Sequence, residues 1–274
     1  MNLFNAFDFV FSVRPGWSPE ASSYQQTCIN VQHVKDVLGD VPVTSLKPID
    51  VVNLQQEMKR QGKSNGTVNR ITSVLSVMMA EMVKHRFLES KVPFSQLKET
   101  KGRIVFYTED EVSSMLAAAR CLERESAVTY DIIFVASKTG ARKGELSALQ
   151  WEHIDWEQNT LTFFDTKNGE DRVLPLSDSL RNHLLEMFEQ RIDGRVFPIA
   201  YPRILTNLKK VQAMCDISDE KNFHTLRHTV ATHLFAKGAT LPQVKEVMGH
   251  KKTEITLRYA HATNEGKLAA MSLL

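Results

Sequence analysis

Phe223-His224-Thr225-Leu226-Arg227-His228 opens the stretch that decides how this chain is read. A helical run carries it to Gly238, Met248-Gly249-His250 follows, and Leu257-Arg258-Tyr259-Ala260-His261 closes it. Apolar residues at helical spacing predict helices over 224–236, 241–247 and 253–260, and these bear histidines, arginines and a tyrosine. Cations hold an anion, an imidazole titrates near neutrality and a hydroxyl can attack, so together these are the groups of a phosphate-handling site. His224 and His228, four residues apart, also invite a metal reading. No Glu stands in an HExxH arrangement, however, and Arg227 would set a cation beside the metal, so no metal site is expected. His228 reads instead as a buried structural or supporting histidine.

Upstream of this stretch, 153–156, 160–164 and 172–176 have strand character. Asn159 and Lys167-Asn168-Gly169-Glu170 between them are suited to hairpin turns. Helices are predicted over 127–137, 142–149, 179–191 and 202–214, and Thr108 with Glu111 has capping-box spacing. From Leu3 to about Lys101 the pattern is helical, with few strand signals. One helix covers 24–38 and stops at Gly39, a second runs from Pro48 to near Gly62, and a long third follows Ser64-Asn65-Gly66. The third turns Val68, Ile71, Val74, Leu75, Met78 and Met82 to one face, and carries Asn69, Arg70, Lys84 and Arg86 on its polar side. Its methionines read as core packing. Pro93 and the weakly periodic residues up to Arg103 read as a linker. The expected fold is mainly α with a small antiparallel β-sheet, in two domains, a helical one over 1–100 and an α+β one over 101–274.

Composition narrows the classes. The chain has 274 residues, 42% of them hydrophobic, enough for two domains with real cores. A formal net charge of +2 does not by itself announce a nucleic-acid partner, so local clusters matter more: Lys59-Arg60 with Lys63, Lys84-His85-Arg86, Lys209-Lys210 and Lys251-Lys252. No apolar run approaches the roughly 20 residues that span a bilayer, and no membrane association is expected. The N-terminal residues lack a basic region and a small-residue cleavage site, against a secretory signal. Cys28, Cys121 and Cys215 are isolated and odd in number, as in a reducing, cytoplasmic compartment.

Thr139-Gly140-Ala141-Arg142-Lys143-Gly144-Glu145-Leu146, with Leu149 and Trp151 after it, resembles the first conserved box of the tyrosine recombinase (phage integrase) family. His224-Thr225-Leu226-Arg227-His228-Thr229 resembles the second, and Met248-Gly249-His250 with Tyr259 nine positions on resembles the third. Lys167 falls where the family carries a hairpin lysine. The resemblance covers the chain from about Arg103 onward and is looser before it. It implies a helical core-DNA-binding domain and a catalytic integrase domain that embrace duplex DNA. Of the family, the Xer-like members without an arm-binding domain are the nearer expectation.

The chemistry follows from the residue types. Arg142 and Arg227 can hold the non-bridging oxygens of a phosphodiester with fixed, permanently charged donors. Tyr259 as nucleophile gives a phosphotyrosyl link that conserves the energy of the bond for religation. A phenol has a pKa near 10 and needs activation. His224 is the candidate base or acid, His250 a hydrogen-bond partner of a phosphate oxygen, and Glu145 a support that orients Arg142 or His224. The resemblance makes Lys167 the general acid for the departing 5′ oxygen. Lys59, Arg60, Lys63, Arg70, Lys84, Arg86, Lys251 and Lys252 are candidate phosphate contacts. No cofactor is expected. The implied function is site-specific recombination through a 3′-phosphotyrosyl intermediate and a Holliday junction, by a homo-tetramer on double-stranded DNA sites, in the nucleoid. Integration or excision of a phage or mobile element leads, accessory DNA-bending or directionality proteins could assist it, and Xer-type resolution of replicon dimers is the alternative. A type IB topoisomerase and a non-catalytic DNA-binding protein are the remaining rivals. The apolar tail over 264–274 is expected to pack on a neighbouring subunit.

Overall fold

The computed structural model describes residues 1–100, 102–122, 127–164 and 170–260, and for Ala127 and Tyr201 the backbone alone. Contacts divide the chain into two units, Met1–Gly102 and Arg103–Leu274.

The first unit packs four helices, α1 (Leu3–Val13), α2 (Tyr24–Leu38), α3 (Pro48–Arg60) and α4 (Asn65–Lys84). Gly39 ends α2 at φ +69, Pro48 starts α3, and the Ser64 hydroxyl accepts the Thr67 N–H at the start of α4. Met58, Met78, Met79 and Met82 are wholly buried with Leu54, Ile71 and Leu75. Each such side chain contributes about 1.5–3 kcal/mol on burial, so packing of these faces rather than helix propensity holds the unit together.

Two residues of the expected polar face of α4 behave otherwise. Asn69 is buried, donating to the Leu97 carbonyl (2.9 Å) and the Glu99 carboxylate (2.8 Å) and accepting the Leu97 N–H (2.8 Å). The extended segment beyond α4 has no ladder of its own, and this amide supplies it with partners. Arg86 lies past the end of α4 at φ +63, in a left-handed turn, and is not part of the helix face.

The second unit contains α5 (Glu109–Arg120), α6 (Ala127–Thr139), α7 (Lys143–Ser147), β1 (Ile154–Asp155), β2 (Thr160–Phe163), β3 (Arg172–Pro175), α8 (Asp178–Glu189), α9 (Tyr201–Met214), α10 (Phe223–Ala236), α11 (Leu241–Met248) and α12 (Thr253–Ala260). The sheet is antiparallel in the order β1-β2-β3, with Leu161 opposite both Ile154 and Leu174, and Phe163 opposite Arg172. Thr108 and Glu111 form the expected capping box on α5, with bonds of 2.8 and 3.1 Å. Tyr107, fully buried, ties the segment before α5 to α10 by donating its N–H to the Thr229 hydroxyl at 2.9 Å.

The mainly helical fold with one small antiparallel sheet is as the sequence predicts, but two elements are shorter. The helix expected over 142–149 is the five-residue α7, because Arg142 stays extended (φ −72, ψ 151) and its N–H bonds the Glu145 carboxylate. β1 pairs two residues only; residues 151–153 before it form a 3-10 turn.

Candidate active site

Three arginines meet where two helices end. α6 stops at Thr139 and turns through Gly140 at φ +60; α11 stops at Met248 and turns through Gly249 at φ +58. A Cβ on Gly140 would lie 3.0 Å from the Met248 methyl carbon, so the two turns are closely packed. The last carbonyls of any helix lack intrahelical partners and form the negative end of its dipole. Here guanidiniums take them in sequence. Arg172 donates to Thr139 O (3.1 Å) and Val247 O (2.7 Å), Arg227 to Gly140 O (2.8 Å) and Met248 O, and Arg142 to Gly249 O (3.4 Å).

Glu145 is the carboxylate among them. Its Oε1 lies 2.5 Å from Arg142, and its Oε2 lies 2.5 Å from Arg172 and accepts the Arg142 N–H at 2.8 Å. Burial alone would raise this carboxyl, but Arg172 and then Arg142 outweigh it and hold it below the ordinary carboxylate range. Arg227 is 2% exposed. Burial, reinforced by Arg142 and Arg172, lowers it to about 9, which leaves it charged at neutral pH. Three guanidiniums against one carboxylate leave the cluster net positive, as an anion site requires.

α12 brings Tyr259 to this cluster, the residue 5% exposed. Its hydroxyl is 2.7 Å from His228 Nδ1 on α10, and its ring lies nearly parallel to His250, with centroids 6.1 Å apart. Burial raises the phenol, against the opposing pull of Arg227, Arg258 and Arg142, so it is protonated at neutral pH. His250 Nδ1 bonds the buried Thr256 hydroxyl at 2.9 Å. Burial and the three arginines lower His250 to about 4, and burial with His224 does the same to His228. Both imidazoles are therefore neutral near pH 7. With the Thr256 hydroxyl as donor, His250 carries its proton on Nε2 and can give it to an anion as a hydrogen bond. His224 is exposed in the first turn of α10, its N–H capped by Asn222 Oδ1 at 2.9 Å, and its ring meets His228 edge-on at 4.7 Å.

The structure thus gathers Arg142, Glu145, Arg227, His250 and Tyr259, with His224 joined through His228. Lys167, His261 and the tail over 264–274 lie outside the described residues. Glu145 orients Arg142, the first of the two partners expected for it. His228, expected as a structural or supporting histidine, has the supporting role, with its Nδ1 on the Tyr259 hydroxyl. One member, Arg172, is not foreseen in its role. The strand pattern alone places Arg172 only as the first residue of a strand. The signal for it was present, since Arg172 is in phase with Leu174 and Leu176 on the inward face, and a charge at an inward strand position must find a partner.

The basic residues expected to meet phosphate lie on the surface of each unit. Lys59, Arg60, Arg70, Lys84 and Arg86 are exposed and Lys63 half-buried, with Arg60 3.3 Å from Glu57 and Lys84 3.4 Å from Glu81. Lys251 and Lys252 are exposed between α11 and α12, Lys251 3.1 Å from Glu170. The exposed Arg60–Glu57 and Lys251–Glu170 pairs contribute little, whereas Lys84 reaches a buried carboxylate that Arg14 also holds.

The family model described as the phage integrase family matches residues 105–265, and the chain belongs to that family. It is 29% identical over 219 residues to the integrase of Escherichia phage P2, an alignment covering 78% of this chain and 61% of the phage protein. It is 27% identical over 225 residues to the tyrosine recombinase XerC of Corynebacterium glutamicum, covering 77% and 73%. Among solved structures, a lambda integrase tetramer bound to a Holliday junction superposes with a TM-score of 0.82 at 16% identity, over 96% of this chain and 78% of that one. That last likeness establishes the fold. Among the described residues no helix is long and apolar enough to cross a membrane.

Proposed function

We propose that this protein is a site-specific DNA recombinase of the tyrosine type that integrates or excises a phage or mobile element. The observation that carries the reading is the convergence of Arg142, Arg227 and His250 on Tyr259 in a net positive, largely buried cluster. In the proposed step the Tyr259 oxygen attacks the scissile phosphorus. The Oη–P bond forms, the P–O5′ bond breaks, the phenolic proton passes to a base, and the 5′ oxygen leaves with a proton. We assign the base to His224, which reaches the phenol by way of His228, and the acid to Lys167. Arg142, Arg227 and the His250 Nε2–H hold the non-bridging oxygens as charge builds on them. Attack by the 5′ hydroxyl of a partner duplex reverses the step and frees the phenol. Paired exchanges of this kind call for four subunits, and a tetramer is what the lambda integrase neighbour forms on its junction.

The unit Met1–Gly102 takes the role of core-DNA binding in this reading, with Lys59, Arg60, Lys63, Arg70, Lys84 and Arg86 on phosphates and Lys251 and Lys252 contributing from the second unit. Accessory DNA-bending proteins and a cytoplasmic, nucleoid-bound setting belong to the same proposal. The similarity to XerC supports a second reading, resolution of replicon dimers by the same chemistry.

The test uses a duplex that the full chain enriches from a random-sequence pool, nicked beside the scissile phosphate so that the cleaved end diffuses away. Wild type should accumulate a covalent protein–DNA adduct and should join two marked duplexes. An absent adduct overturns the catalytic reading; an adduct with relaxation of supercoils but no joining indicates a topoisomerase.

A further inference from the structure

We propose that Arg172 is a positioning residue for strand cleavage, acting through Glu145 to set the Arg142 guanidinium at the scissile phosphate. The inference rests on the recombinase reading of this site.

Arg172 is 5% exposed at the inward end of β3, its guanidinium 4.6 Å from the centre of the Phe163 ring. Three of its N–H groups are engaged, by Glu145 Oε2, Thr139 O and Val247 O. It is therefore held by the protein rather than presented to a ligand. The engagement has two consequences. Paired with Arg142 alone, Glu145 would cancel that arginine's charge; the second guanidinium draws on the same carboxylate and leaves Arg142 positive for an anion. The two carbonyls it grips also adjoin the two that hold Arg227, Gly140 O and Met248 O. One side chain thereby sets the spacing of both turns on which the phosphate-facing arginines depend. The aliphatic stem fills the space over Gly249, where a Cβ would lie 2.8 Å from Arg172 Cδ. A lysine cannot replace this, because an ammonium is a point donor without the planar fork that meets a carboxylate and two carbonyls together.

The experiment compares strand cleavage by the full chain on the selected nicked duplex in two forms. One has a normal scissile phosphodiester; the other has a methylphosphonate there, which is neutral and needs no cation to offset its charge. Arg172→Met should cleave the phosphodiester about 100-fold more slowly, the scale of a misplaced catalytic group, while binding the duplex as wild type does. On the methylphosphonate its deficit should largely disappear, as it should for Arg142→Ala, whose missing charge is the one Arg172 positions. Wild-type cleavage by Arg172→Met, or an equal deficit on both duplexes, overturns the proposal, the second because a purely structural defect ignores substrate charge. If Arg172→Met melts below the assay temperature, Arg172→Lys decides by the same criterion. A wild-type chain that cleaves neither duplex removes the reading of the site itself, and the inference with it.

Discussion

The hydroxyl of Tyr259 is hydrogen-bonded to Nδ1 of His228 at 2.7 Å, across the packing of α12 on α10. Burial keeps His228 neutral and the phenol protonated, so the bond is one between uncharged groups, and the proposed nucleophile is held in its resting form. Tyr259→Phe should abolish the covalent adduct on the nicked duplex. It should cost only about 1 kcal/mol of stability, the net worth of one such bond. Denaturant unfolding read beside adduct formation checks both; an adduct formed by Tyr259→Phe would remove this residue as the nucleophile.

Arg142 and Arg227 should separate in stability though the proposed cleavage needs both. Arg227 is nearly inaccessible, and its loss strands Gly140 O and Met248 O, at roughly 1–3 kcal/mol per unsatisfied buried group. The Arg142 side chain is 19% exposed, and Glu145 keeps Arg172 when Arg142 is removed. Arg227→Ala should therefore be the less stable variant by urea titration. Equal stability losses would contradict the burial argument.

Gly249→Ala should damage both folding and cleavage. The φ of +58 strains any other residue by roughly 1–2 kcal/mol, and the new Cβ would also press on the pinned stem of Arg172. Gly238→Ala is the control, since it has φ +86 with open space around it and carries the strain alone. Cleavage should fall in the Gly249 variant and hold in the Gly238 variant; similar cleavage in both would argue against the Arg172 contact.

Acid should destabilise the second unit in a defined window. His228 and His250 titrate at about 4 when folded and near 6.5 when unfolded. As pH falls through 6.5 the unfolded chain takes up protons that the folded chain refuses, so stability declines from pH 6.5 toward 4 and is flat above. Glu145, whose pKa is lowered by folding, adds a further loss as pH drops below the ordinary carboxylate range. Melting temperatures across pH 8 to 5 should show the first decline, and His250→Asn should make it shallower. A melting temperature that ignores pH over that range would exclude the linkage.

What could be read from the chain is what neighbouring residues decide among themselves. The Thr108–Glu111 box on α5 and the stop at Gly39 depend on bonds spanning a few residues, and the turn at Asn159 on that residue's own left-handed backbone at φ +56; all three stand in the structure where the pattern put them. The apolar periodicities of α10, α11 and α12 likewise follow from which face each helix must bury. The resemblance of three short boxes to those of the recombinase family marked Arg142, Glu145, Arg227, His250 and Tyr259 as candidates, and the structure brings these side chains together.

Other features arose only when distant segments met. The extended backbone of Arg142, the burial of Asn69, the bond from His228 to Tyr259 and the grip of Arg172 on Glu145 and Val247 each answer to a partner elsewhere in the chain. Arg172 lies 27 residues from Glu145 and 75 from Val247. The sequence by itself determined which helices form and which residue types they carry to the site. The tertiary structure alone decided how two helix ends, with their unpaired carbonyls, share three arginines and one carboxylate, because a buried charge takes its partner from whatever the fold sets beside it.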